Sequence, residues 1–302
     1  MASSVLLGPD QAEGLRKMMG DYPQSQTKII AVTSGKGGVG KSNFAVNLGI
    51  TLANMKDPHN PDTPKKKVLV MDADLGLANV NVLLGIIPKF NLLHVLRGQK
   101  KLSEIIIKTD LGIDIIGGAS GFSQLANLSD DDKRHFIEDM KDISYADYLI
   151  IDTSAGISSN VISFVLAAHE TVVITTPEPT AITDAYGIIK SIVVESEIPN
   201  IKLVINRVRS ATEGSKVSKK IIEIASQFLN VKIENIGYIY DDPLVGESVR
   251  RQIPFVVMAP KSNISLCVNH IARRIMNIEV SEEHSGFKKF FSAMFGGGEA
   301  KS

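Results

Sequence analysis

The sequence predicts one α/β domain: a doubly wound, mostly parallel sheet with helices on both faces. Three observations predict it. Short β-branched runs (IIAVT, VLVMD, YLIID, TVVIT and IKLVIN) recur between Lys28 and about Met276. Each is apolar throughout rather than alternating, as strands buried on both faces are. Longer helix-like stretches separate them, the order a parallel sheet requires. The 302 residues are 44% hydrophobic, ample for one large core, and no long linker divides them. We therefore assign residues 28–277 to a single domain, with an N-terminal segment 1–27 before it. Residues 278–302 form a linker and a C-terminal helix.

Composition narrows the function. Lys plus Arg number 33 and Asp plus Glu 33, so no net basic field attracts polyanions, which argues against a nucleic-acid partner. Cys267 is the only cysteine, which excludes intrachain disulfides and multi-cysteine metal sites from one chain. A reducing, cytoplasmic setting is expected. The leader MASSVLLGPDQ lacks a basic n-region and does not read as a secretory signal. No apolar run is long enough to span a bilayer.

The first strand, KIIAVT, runs into Ser34-Gly35-Lys36-Gly37-Gly38-Val39-Gly40-Lys41-Ser42, and the helix NFAVNLGITLAN follows. A glycine-rich turn between strand and helix lets backbone N–H groups surround phosphate oxygens, while the helix N-terminus adds positive potential. In G-x-x-x-x-G-K-S the lysine, Lys41, reaches the β- and γ-phosphates and the Ser42 hydroxyl ligates Mg²⁺. The stretch KDPHNPDTPKKK, residues 56–67, reads as an exposed loop before the second strand.

That strand, VLVMD, ends at Asp72, with Asp74 two residues on. YLIID ends at Asp152, in DTSAGI. In open α/β sheets the carboxyl ends of the strands form the ligand crevice, so these acids should converge on the glycine loop. Mg²⁺ keeps several waters, one of which a carboxylate usually holds, and Asp152 fits that place. The later strand IKLVIN ends at Asn206 and continues Arg207-Val208-Arg209. At the C-terminus Phe287, Phe290, Phe291, Met294 and Phe295 fall at i, i+3, i+4, i+7 and i+8, one apolar helix face flanked by Lys288 and Lys289. Such a short, Phe-rich, Lys-flanked helix suits a membrane interface, although packing on its own domain or on a partner is the competing reading.

With its second lysine, Lys36, the loop GKGGVGKS resembles the deviant Walker A motif of the MinD/ParA family of P-loop ATPases. DADLGLAN resembles that family's first switch segment, and DTSAGI its second. The resemblance implies an ATP- and Mg²⁺-dependent ATPase that dimerises face to face, with Lys36 crossing to the partner's nucleotide. It further implies that Asp74 orients or activates the attacking water, that Asp72 supports the metal and lysine shell, and that Asn79 lies near the site. Asn206 matches the position where relatives contact the purine. Guanine-specific relatives continue Asn-Lys-x-Asp, but position 209 is Arg, so ATP is expected over GTP.

The two ends point to a subfamily. Asp10-Gln11-Ala12-Glu13-Gly14-Leu15-Arg16 resembles the DQAxxLR motif of FlhG-type flagellar-number regulators, and the Phe-rich tail resembles the membrane-targeting helix of MinD. Asp10, Gln11, Leu15 and Arg16 are then the residues expected to meet a GTPase of the signal-recognition-particle type. Flagellar basal-body components and an anionic membrane are the other expected partners. The alternatives are a MinD-like division-site ATPase and a ParA-like partition or cargo-positioning ATPase. The iron–sulfur relatives of this fold need clustered cysteines, which are missing.

Overall fold

The computed structural model of the chain describes residues 27–56, 62, 64–74, 79–118, 143–196 and 198–278. In order the elements are β1 Lys28–Ser34, α1 Lys41–Asn54, β2 Val68–Ala73, α2 Asn79–Leu83, α3 Leu92–Leu96, α4 Leu102–Ile105, β3 Ile106–Lys108, β4 Ile113–Ile116 and β5 Tyr148–Ala155. They continue with α5 Ser159–Ala167, β6 Glu170–Thr175, α6 Pro179–Glu195, β7 Ile201–Val208, α7 Ala211–Leu229, β8 Ile233–Tyr240, α8 Pro243–Arg251, α9 Phe255–Met258 and α10 Asn263–Ile275.

The strands form one sheet in the order β3-β4-β2-β5-β1-β6-β7-β8, parallel except where the short β3 pairs antiparallel with β4. This is the doubly wound architecture that the alternating runs predict. Each of the five predicted strands is present, and three more, β3, β4 and β8, complete the edges. β1 lies at the centre, between β5 and β6. A chain that leaves β1 therefore enters the crevice where the winding reverses, where ligands bind in such sheets.

Successive residues of a strand face opposite sides of the sheet, so each buried strand supplies two cores. Val68 and Val70 pack on one side with Phe44, Leu48 and Leu52 of α1 and with Val268, Ile271 and Ile275 of α10. Leu69 and Met71 pack on the other with Leu92, Leu102 and Leu149. Farther along that second side, α5, α6 and α7 cover Val173, Leu203 and Ile205. Strands apolar throughout follow directly from this double cover.

Register decides what reaches the crevice. β2 and β5 pair so that Asp72 is level with Asp152, and β1 pairs with β5 so that Val32 is level with Asp152. The two acids at the ends of VLVMD and YLIID thus stand side by side, next to the strand that feeds the glycine loop.

Candidate active site

The glycine loop turns between β1 and α1. Gly38 and Gly40 take positive φ values of 77° and 92°, a left-handed region that side chains disfavour. Gly40 is also the residue before α1, and no side chain caps the helix there. The first-turn N–H groups have no partner within a helix and are left as donors suited to an anion. Gly35 is needed for a different reason: a Cβ there would come within 2.0 Å of the Asp184 carbonyl oxygen in α6. The Ser34 hydroxyl donates to the Lys36 carbonyl at 2.9 Å and helps set the turn. Val39 is buried in the core beside α1.

The two lysines of the loop go to different places. Lys41 Nζ lies 2.9 Å from Asp152 Oδ1, with Lys41 8% exposed and Asp152 fully buried. Lys36 turns instead to the start of α6 and donates to Glu178 Oε2 at 3.3 Å and to Thr180 Oγ1 at 3.0 Å. Its side chain is 40% exposed. One lysine is packed into the crevice and the other lies along its rim.

The carboxylates converge as their strand-end positions predict. Burial pushes the Asp152 carboxyl up, against the Lys41 ammonium and the nearby Ser42 hydroxyl, which pull it down. Its second oxygen, Oδ2, is buried and accepts no hydrogen bond. Asp72 is pushed up to about 6, mainly by burial and also by the neighbouring Asp152 charge, while the N–H groups of Val80 and Asp74 oppose the shift. Buried acids with an idle oxygen form a site short of positive charge, which a hydrated divalent cation would complete. Ser42 and Asp152 therefore fit Mg²⁺, with Asp72 behind them.

Asp72 Oδ1 accepts the Asp74 N–H at 3.0 Å and Oδ2 accepts the Val80 N–H at 3.0 Å. The Asn79 N–H also bonds to this carboxylate. Asp74 Oδ2 accepts from Asn79 Nδ2 at 3.2 Å, and Oδ1 from the Ser154 hydroxyl at 3.0 Å. Gly156, at φ 98°, donates its N–H to the Ser34 carbonyl at 2.9 Å and so brings the turn after Asp152 against the glycine loop.

Asn206 is in the crevice too. Its Nδ2 donates to the Val39 carbonyl at 2.7 Å and its Oδ1 accepts the Arg207 N–H at 2.9 Å. A Cβ on Gly40 would lie 2.4 Å from Asn206 Nδ2, a second reason for glycine at that position. Arg207, at φ 56°, directs its guanidinium between Glu178 (3.9 Å) and Asp241 (3.5 Å). Arg207, Thr180 and Asp241 carry no motif of their own, so no sequence signal singles them out. Gly35, Lys36, Gly37, Gly38, Val39, Gly40, Lys41, Ser42, Asp72, Asp74, Asp152 and Asn206 are thus gathered at one end of the sheet. Asp10, Gln11, Leu15 and Arg16, together with Phe287, Phe290, Phe291, Met294 and Phe295, lie outside the described residues.

A glycine loop on the central strand, an embedded lysine facing a buried strand-end acid, and a second lysine on the rim define a P-loop ATPase of the deviant-Walker class. The CobQ/CobB/MinD/ParA nucleotide binding domain matches residues 30–255, and the chain belongs to that family. It is 36% identical over 276 residues to the antiactivator FleN of Pseudomonas aeruginosa, covering 91% of this chain and 95% of that protein. It is 34% identical over 281 residues to the flagellum site-determining protein YlxH of Helicobacter pylori, covering 90% of each. Among solved structures, the septum site-determining protein MinD of Pyrococcus horikoshii, complexed with Mg-ADP, superposes with a TM-score of 0.65 at 25% identity. That match covers 87% of this chain and 98% of the MinD chain. Among the described residues no helix is long and apolar enough to cross a membrane.

Proposed function

We propose that this ATPase is a nucleotide-driven switch that regulates flagellar number and placement. The observation that carries the reading is the divergence of the two loop lysines. Lys41 is committed to its own crevice, whereas Lys36 rests on exposed partners at the rim, 3.3 Å from Glu178. A cation placed there can leave weak, water-screened contacts and reach the phosphates of a second copy. Ile157, 61% exposed just past Gly156, offers apolar surface at the same end of the sheet. ATP binding accordingly closes two copies face to face, and the flagellar relatives supply the biological setting.

Within one copy, Lys41 and the loop N–H groups hold the β- and γ-phosphates, and Asn206 adjoins the base. Ser42 and Asp152 hold Mg²⁺, with Asp72 in support; the ion supplies charge neutralisation on the phosphates. Asp74 orients the attacking water. After hydrolysis the negative charge that draws Lys36 across diminishes, and the pair separates.

The C-terminal helix couples this cycle to lipid. One short amphipathic helix anchors weakly, whereas a dimer presents two and gains from effective concentration. ATP should therefore promote sedimentation with anionic vesicles, and removing residues 286–302 should abolish it. Equal sedimentation of ATP-bound and nucleotide-free protein would overturn the two-tail mechanism.

The N-terminal segment links the switch to its output. A peptide of residues 1–23 should raise the GTPase rate of a flagellar signal-recognition-particle-type GTPase without the ATPase domain. Gln11 would orient water there, Arg16 would stabilise phosphoryl charge and Leu15 would anchor the segment. Gln11→Ala should lose the stimulation. If neither the peptide nor the full chain stimulates, the output is of another kind and the flagellar reading gives way to a general positioning ATPase.

A further inference from the structure

Asp72 does something its position at a strand end does not announce. It is fully buried, and its two oxygens take N–H groups from both ends of one loop: Asp74, two residues on, and Val80, eight residues on, each at 3.0 Å. Val80 is itself fully buried in the core beside α1, so the far end of the loop is anchored twice. At the near end, the backbone of Asp74 is fixed by the same carboxylate.

Ser154 acts on the other part of Asp74. Because Asp72 is level with Asp152 and Ala73 with Thr153, the residues that follow, Asp74 just past β2 and Ser154 in β5, come abreast. The Ser154 hydroxyl donates to Asp74 Oδ1 at 3.0 Å while Asn79 donates to Oδ2 at 3.2 Å. Donors on both oxygens fix the plane of the carboxylate as well as its place.

We infer that Asp72 and Ser154 are positioning residues for Asp74, the first acting on its backbone and the second on its carboxylate. The inference rests on the reading of Asp74 as the residue that orients water. A carboxylate that must align a water with the γ-phosphate loses much of its effect when displaced by about an ångström, of the order of 100-fold. The rigid partners on β2 and β5 prevent that displacement, in the way that an outer layer of hydrogen bonds supports a reacting group.

The test is a double-mutant cycle on the full chain. Asp72→Asn and Ser154→Ala should each lower kcat by about 10- to 100-fold. For Ser154→Ala the KM for ATP and the Mg²⁺ concentration giving half-maximal rate should stay where they are. Ser154→Thr, which keeps the hydroxyl, should recover most of the rate. In an Asp74→Ala background, at saturating Mg²⁺, neither substitution should lower the residual rate further, because their effect passes through Asp74. Should Asp72→Asn fail to fold, the Ser154 variants and their cycle with Asp74→Ala decide the question alone. Independent, multiplicative losses in the Asp74→Ala background at saturating Mg²⁺ would overturn the inference, as would a tenfold rise in the Mg²⁺ requirement of Ser154→Ala. If Asp74→Ala itself turns over ATP at the parent rate, the reading of Asp74 fails instead.

Discussion

Lys41→Ala should abolish measurable ATP binding. On the proposed reading the ammonium is the charge that faces the β- and γ-phosphates, and it lies 2.9 Å from Asp152 within the crevice. Truncating one partner of a buried, hydrogen-bonded charge pair in a binding site costs roughly 2–5 kcal/mol, so affinity should fall by about 30-fold to several thousandfold. The same change leaves the fully buried Asp152 without its counter-charge. Breaking a buried pair from one side destabilises a fold by roughly 3–5 kcal/mol. Two effects should therefore be read in one thermal-melting experiment. The nucleotide-free variant melts below the parent, and added Mg-ATP no longer raises its melting temperature. A variant that melts like the parent and is still stabilised by Mg-ATP would remove Lys41 from the phosphate site.

Asp74→Ala should do the reverse, keeping ATP and losing turnover. Its carboxylate is held by Ser154 and Asn79 just past the end of β2, and removing it leaves the Lys41–Asp152 pair in place. Positioned acid–base groups contribute about 10²–10⁴-fold to rate, and the variant should lose that much in kcat with Mg-ATP affinity unchanged. Normal turnover would sink the assignment.

The features legible in the sequence share a local signature. Lys41 and Ser42 sit in a spaced glycine motif, and Asp72 and Asp152 end strands that are apolar throughout because both faces of the sheet are covered. The three additional strands lack that signature. β3 and β4 have only three and four residues. β8 ends the sheet, and exposed or half-exposed residues interrupt its buried ones in IENIGYIY. Contacts between distant segments were equally hidden. Lys36 meets Glu178 and Thr180 across 142 and 144 positions, which no spacing rule connects. Arg207 adopts a left-handed backbone that its residue type disfavours, held by Asn206, Glu178 and Asp241. Asp72 was visible as an acid near the site. Its hydrogen bond from Val80, eight residues on, follows no spacing rule.

The central claim is that ATP, and not ADP, joins two copies of the chain, and Asp74→Ala allows it to be tested without the nucleotide being consumed. The decisive measurement is the solution mass of that variant by light scattering with Mg-ATP and with Mg-ADP. The account predicts about twice the 32.7 kDa chain mass with ATP and a single chain mass with ADP. It also predicts that Lys36→Ala in the same background stays at the single mass with ATP bound. A single chain mass for Asp74→Ala in saturating Mg-ATP would contradict the switch, as would a dimer that forms equally well with ADP.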